Sequence, residues 1–336
     1  MLPADKLKGK VDVELSAGRN RIQLAGRSKT GLESLRETVE VFSGKASEPK
    51  THLVAIGASE YQQSARNLNY AVKDVSDLRD TLTDENTVVH MLANEDVTRE
   101  NVRQIKAALM ETGVDDKVIL FYAGHGMLTG DLDYFLGTYD VDFSSPEERG
   151  LDYRTLEYLF DGIPARNRLM LIDACHSGEA DKFAMDAVAQ VGTAGSLRAN
   201  SGLARGLDFG DAENETDGAA QEAIAAPKLG LQNSFNLSKQ LFADIRKDTG
   251  VTVISASGST EFAWEDGSLS NGVFTYSLLK GLREGEADQD GDGAVKISEL
   301  QSYVRAQVVK LTNGLQQPTF RTENIENDWS IYRVSD

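Results

Sequence analysis

At 336 residues, 40% of them hydrophobic, the chain is long enough for one large or two modest domains with a sizeable core. Its formal net charge of −18 argues against nucleic acid or an anionic membrane as partner, which need clustered Lys and Arg, and favours basic ligands. The single cysteine, Cys175, excludes an internal disulfide framework; without a signal-like or bilayer-spanning apolar run, cytoplasmic is the default location.

Residues 11–45 alternate apolar and polar positions in three short runs separated by turn residues such as Ala17, Gly18, Arg19 and Asn20. They resemble the last strands of an immunoglobulin-like sandwich, which gives a β-rich leader over 1–49; three strands are too few to stand alone. The leader reads as structural, with a targeting or sensor module as the other reading. From His52 the pattern changes. HLVAIG reads as a buried strand, and Leu68, Ala71, Val72, Val75, Leu78 and Leu82 then mark the core stripe of a helix over 69–83.

Val88–Leu92 is the next strand, and Val102, Ile105 and Leu109 mark a second helix. Strands alternating with amphipathic helices predict an α/β fold with a mainly parallel, doubly wound sheet over 50–336. A small hairpin at 133–138, a helix at 153–161 and a strand at 168–174 follow. The stretch 179–240 is rich in Ala, Gly, Asn, Asp and Glu, without sustained periodicity, and reads as a flexible linker. Regular structure resumes with VTVISASGS, a helix over 273–281, and a last helix whose stripe is Leu300, Tyr303, Val304 and Val308.

Two apolar runs of strand length end in polar turns that carry reactive groups. LMLIDACHSG, residues 169–178, delivers Cys175, and KVILFYAGHG, residues 117–126, delivers His125. A free cysteine is often a small core hydrophobe. Two parallel strands ending this way would instead place thiol and imidazole together at the carboxyl ends of one sheet. His176 adjoins the cysteine but points away from it on an extended chain, and His52 and His90 sit inside apolar strands as packed or edge residues.

The pair YAGHG and DACHSG resembles the histidine and cysteine boxes of the caspase and metacaspase clan of cysteine proteases, particularly its bacterial members. The separation, 175 minus 125, is 50 residues, the spacing typical of caspases. The resemblance implies a caspase-like three-layer fold over roughly 50–335. It also implies a cysteine endopeptidase with Cys175 as nucleophile, His125 as base, and the Gly126 and Cys175 N–H groups as oxyanion hole. Catalysis would need no cofactor.

Asp173 lies two residues before Cys175, on the same face of an extended strand, where a carboxylate would hold a guanidinium and repel an acid. Metacaspases with Asp in this box cleave after Arg or Lys and use a second Asp from the helix after the first strand. Asp74 of LNYAVKD matches that position, although a helix also carries ordinary surface acids. The expected substrates are therefore proteins or peptides with Arg, then Lys, at P1. Within the linker, Arg198 and Arg205 are the candidate self-processing sites.

The stretch 288–299, DQDGDGAVKISE, fits an EF-hand loop, with Asp288, Asp290 and Asp292, the Ala294 carbonyl and Glu299 as calcium ligands. Its other reading is a turn that caps the next helix. Bacterial relatives work in stress, cell-death and antiviral systems, which implies an upstream activating protein. The rival functions are a catalytically silent caspase-fold scaffold and a calcium-responsive interaction module.

Overall fold

The computed structural model describes residues 9–26, 28–29, 34–35, 37–129, 133–174, 250–256, 269–322 and 327–334, with backbone alone for 128, 202–205 and 263–266. In chain order its elements are β1 (Gly18–Leu24), β2 (Glu37–Ser43), β3 (Thr51–Gly57), α1 (Ala71–Leu82), β4 (Thr87–Ala93), α2 (Arg99–Leu109) and β5 (Lys117–Ala123). There follow β6 (Gly126–Leu128), β7 (Tyr134–Leu136), β8 (Leu151–Asp152), α3 (Tyr153–Phe160), β9 (Asn167–Asp173), β10 (Gly202–Arg205) and β11 (Thr252–Ser255). The last are β12 (Ala263–Asp266), β13 (Asn271–Gly272), α4 (Val273–Arg283), β14 (Ala294–Lys296), α5 (Ile297–Leu311), β15 (Thr319–Arg321) and β16 (Ser330–Arg333).

The organising sheet runs β15-β11-β9-β5-β3-β4, with β15 antiparallel to β11 and every other pairing parallel. β3, β5, β9 and β11 carry near-continuous apolar runs because helices cover a parallel sheet on both faces. Leu53, Val54, Ile56, Ile119, Leu120, Phe121, Leu169 and Ile254 are accordingly shut off from solvent. α1 packs beside α4, and α2 beside α3, which gives the layered α/β architecture expected from the alternating pattern. Thr98 caps α2 by accepting the Asn101 N–H, and Asp152 caps α3 by accepting that of Thr155.

Gly57, the last residue of β3, shows how tightly α1 closes over the sheet. A Cβ there would come within 2.5 Å of Val75 Cγ2 and 3.0 Å of Val72 Cα. Only glycine lets the first turn of α1, which carries Asp74, approach the carboxyl end of β3.

The leader differs from its sequence pattern. Two of the three alternating runs form strands, paired from Gly18↔Ser43 to Leu24↔Glu37, while residues 11–17 join no strand. Side chains of the α/β unit take up the backbone there instead. Arg166 bonds the Glu14 carbonyl and the Ser16 hydroxyl, and Asp115 accepts the Ala17 N–H at 3.1 Å.

Candidate active site

The β5–β9 ladder fixes the geometry at the carboxyl edge. Its register pairs Lys117 with Asn167 and continues without a slip to Ala123 with Asp173, a constant offset of 50. That offset equals the separation of His125 from Cys175 in the sequence. The Gly124 N–H donates to the Asp173 carbonyl at 3.3 Å, which carries the ladder one residue further. Cys175 itself lies outside the described residues.

His125 is 5% exposed and held on every side. Its Nε2 lies 2.7 Å from the Arg66 carbonyl oxygen. A carbonyl can only accept, so Nε2 carries the hydrogen and Nδ1 is the basic nitrogen of the neutral ring. The His125 N–H donates to the Tyr61 hydroxyl at 3.0 Å, and that hydroxyl donates to the Ala58 carbonyl at 3.0 Å. The His125 carbonyl accepts the Gly137 N–H at 2.8 Å and lies 3.0 Å from the Tyr122 hydroxyl.

Burial pushes the Tyr122 phenol well above its ordinary pKa, so it stays a donor to the His125 and Gly137 carbonyls. Ring contacts complete the enclosure, with Tyr61 at 5.1 Å and Phe143 edge-on at 5.3 Å from the imidazole. A Cβ at Gly124 would meet the Tyr122 hydroxyl at 2.5 Å, so the turn before His125 has room only for glycine. Gly126 opens β6, opposite Leu136 of β7.

The two predicted specificity acids come from different elements and meet at one place. Asp74, 0% exposed on α1, accepts the Asn271 side-chain amide at 2.9 Å and the Gly272 N–H at 3.1 Å. Asp173, 1% exposed at the end of β9, accepts the Thr275 hydroxyl at 2.6 Å. Gly272 is the N-cap of α4 and Thr275 lies in its first turn, so both carboxylates bond one helix start. Asp74 is therefore no surface acid.

Arg198 lies outside the described residues. Arg205 is the last residue of β10, whose backbone pairs antiparallel with β12 in register Gly202↔Asp266 to Arg205↔Ala263. β12 in turn pairs with β13, the Asn271–Gly272 strand that holds Asp74.

The 288–299 loop has the predicted frame. It sits between α4 and α5, Gly291 and Gly293 have positive φ, and carboxylate oxygens of Asp288, Asp290 and Asp292 lie within 4.8 Å of one another. Ala294 starts β14, which pairs with β16. A cation belonging to the protein already sits in the loop. Lys296 Nζ bonds Asp290 at 2.7 Å and Asp292 at 2.5 Å, and those carboxylates hold its ammonium above the ordinary lysine pKa. Glu299 accepts the Gln289, Asp290 and Lys296 N–H groups and so also caps α5. Of the remaining histidines, His52 and His90 stack at 6.1 Å in β3 and β4, away from His125.

Sequence reasoning did not find Tyr61, Arg66 or Phe143 around His125, nor Asn271 and Thr275 around the acids. Arg66 acts through its carbonyl, which any residue offers, and the others are tied to the site by contacts across 18 to 197 positions of sequence.

The caspase domain family matches residues 50–328. The chain belongs to the caspase-domain family. Its caspase domain carries the α/β fold of cysteine peptidases that act on protein substrates. Among solved structures, protein GSU0716 from Geobacter sulfurreducens is similar in fold, at 19% identity and a TM-score of 0.51, over 82% of this chain and 93% of that one. Caspase-1 from Spodoptera frugiperda aligns at 12% identity and a TM-score of 0.48, over 85% and 93% of the two chains. No curated protein matches the chain in sequence. Among the described residues, no helix is long and apolar enough to cross a membrane.

Proposed function

We propose that the caspase domain is an endopeptidase that cleaves proteins after Arg, then Lys, through a Cys175–His125 dyad. The observation that carries this reading is the shared offset of 50 between the β5–β9 register and the His–Cys spacing. His125 Nδ1 takes the Cys175 thiol proton while the Arg66 carbonyl fixes the tautomer. The thiolate attacks the scissile carbonyl, and the N–H groups of Gly126 and Cys175 hold the oxyanion. Collapse expels the amine with the proton from His125 and leaves a thioester, which water hydrolyses.

Asp74 and Asp173 select the basic P1 side chain, whose guanidinium a carboxylate pair binds bidentately. A basic P1 preference extends to the linker, with self-processing at Arg205, and at Arg198, as part of activation downstream of a trigger protein. The Arg205 assignment is supported by its extended backbone, which lies in the three-stranded sheet whose far edge strand, β13, bonds Asp74. At the 288–299 loop, calcium would replace the Lys296 ammonium among Asp288, Asp290, Asp292, the Ala294 carbonyl and Glu299, as a structural ion apart from the dyad.

Peptides with Arg, Lys, Asp or Ala at P1, turned over by wild type and by Cys175→Ala, test the reading. Arg-selective turnover lost in Cys175→Ala is the expected result. Cleavage after Asp would overturn the pocket assignment, and no cleavage, with the linker intact after incubation, would favour the scaffold.

A further inference from the structure

Two buried carboxylates that bond the start of one helix are costly to keep charged unless donors face them. At this site the donors come from one helix start. Gly272 has no side-chain cap of its own for α4. Asp74 supplies that function from α1 by accepting the Gly272 N–H, while Asp173, from β9, accepts the Thr275 hydroxyl in the same first turn. The positive end of the α4 dipole thus faces both acids.

Asn271, 6% exposed, extends the arrangement. Its amide nitrogen spans Asp74 at 2.9 Å and Asp77 at 2.8 Å, and its amide oxygen lies 3.5 Å from Lys73 Nζ. Arg283, at the other end of α4, bonds the Asp77 carbonyl and Thr81, so α4 is pinned along α1 from both ends.

We propose that Asn271 and Thr275 are positioning residues for P1 selection: the first turn of α4 orients Asp74 and Asp173 as one charged pair before substrate arrives. The inference rests on the acid-pocket reading above. Oriented acceptors need no rearrangement when a guanidinium enters, so the clasp acts on ground-state binding and not on the chemical step. Thr275 contributes its hydroxyl and Asn271 its amide, and the Gly272 N–H holds Asp74 whatever the side chains nearby.

The test uses the full chain with Cys175→Ala, so that peptides bind without turnover, and measures affinity for peptides ending in Arg or Asp at P1. Thr275→Val keeps the shape and removes the hydroxyl; it should weaken Arg-peptide binding about tenfold, the scale of one hydrogen bond to a charged group. Thr275→Ser should restore it, and Asn271→Ser should weaken it similarly. In active enzyme the loss should appear in KM at constant kcat. If Arg peptide binds Cys175→Ala and Thr275→Val changes neither affinity nor KM, the clasp is wrong while the pocket stands. A Thr275→Val loss that Ser does not restore, or that falls on kcat with the melting temperature, makes Thr275 merely structural and also overturns it. If Asp peptide binds in preference, or no peptide binds, the pocket reading falls and the clasp with it.

Discussion

Replacing Tyr61 by Phe isolates one hydroxyl in the frame that holds His125. The ring stays, so its packing at 5.1 Å from the imidazole is kept, but the acceptor for the His125 N–H and the donor to the Ala58 carbonyl both vanish. Tyr61 is 3% exposed, so water does not readily replace either bond. Leaving a buried polar group unsatisfied costs about 1–3 kcal/mol. For a domain of this size each kcal/mol lowers Tm by roughly 2–4 °C. The His125 carbonyl remains fixed by Gly137 and Tyr122, so the turn stays folded while the ring loses its aim. A shift of about 1 Å in a catalytic group can cost on the order of a hundredfold in rate. The assay is kcat and KM on an Arg-P1 peptide alongside a thermal melt. We expect kcat to fall at least about tenfold with KM nearly unchanged. A fall in Tm with kcat intact would refute the claim that the hydroxyl positions His125.

Acid should destabilise the fold through the β3–β4 histidine pair. Burial holds both His52 and His90 below the ordinary value of 6.5, and for His52 it outweighs the Asp116 carboxylate that favours its charged form. The unfolded chain therefore takes up protons that the folded chain refuses, and stability present above pH 6.5 is lost as pH falls through that value toward the folded pKa. Urea midpoints at pH 7.5 and 5.5 should differ less in His90→Gln than in wild type; equal differences would exclude the pair as the cause. At the acidic loop, Lys296→Gln removes the internal cation from Asp290 and Asp292. Calcium should then raise Tm at lower concentration than in wild type, and a melt insensitive to calcium in both proteins would reject the ion site.

The parallel core was legible because helices cover both faces of the sheet, so strands such as VILFYA and LMLID read as unbroken apolar runs. Asp173 follows from strand alternation, two residues before Cys175, whereas Asp74 is singled out only by the resemblance of LNYAVKD to metacaspases. The leader was misread at residues 11–17, where alternation begins with a strand but the backbone is bonded by Arg166 and Asp115 side chains about a hundred or more positions away. Tyr61, Phe143 and Thr275 carry no local signal, since their roles exist only once the chain has folded. Lys296 was hidden for a different reason. The EF-hand pattern counts oxygen ligands, and a lysine at the ninth place of the loop does not break it, yet its ammonium occupies the carboxylates.

The most direct test of the dyad is covalent labelling of the full chain by a thiol-reactive peptide with Arg at P1, read by intact mass and peptide mapping. A single adduct on Cys175, slowed strongly in His125→Ala and not formed by the same reagent with Asp at P1, is the predicted result. Equal labelling with and without His125, or no adduct, would contradict the account.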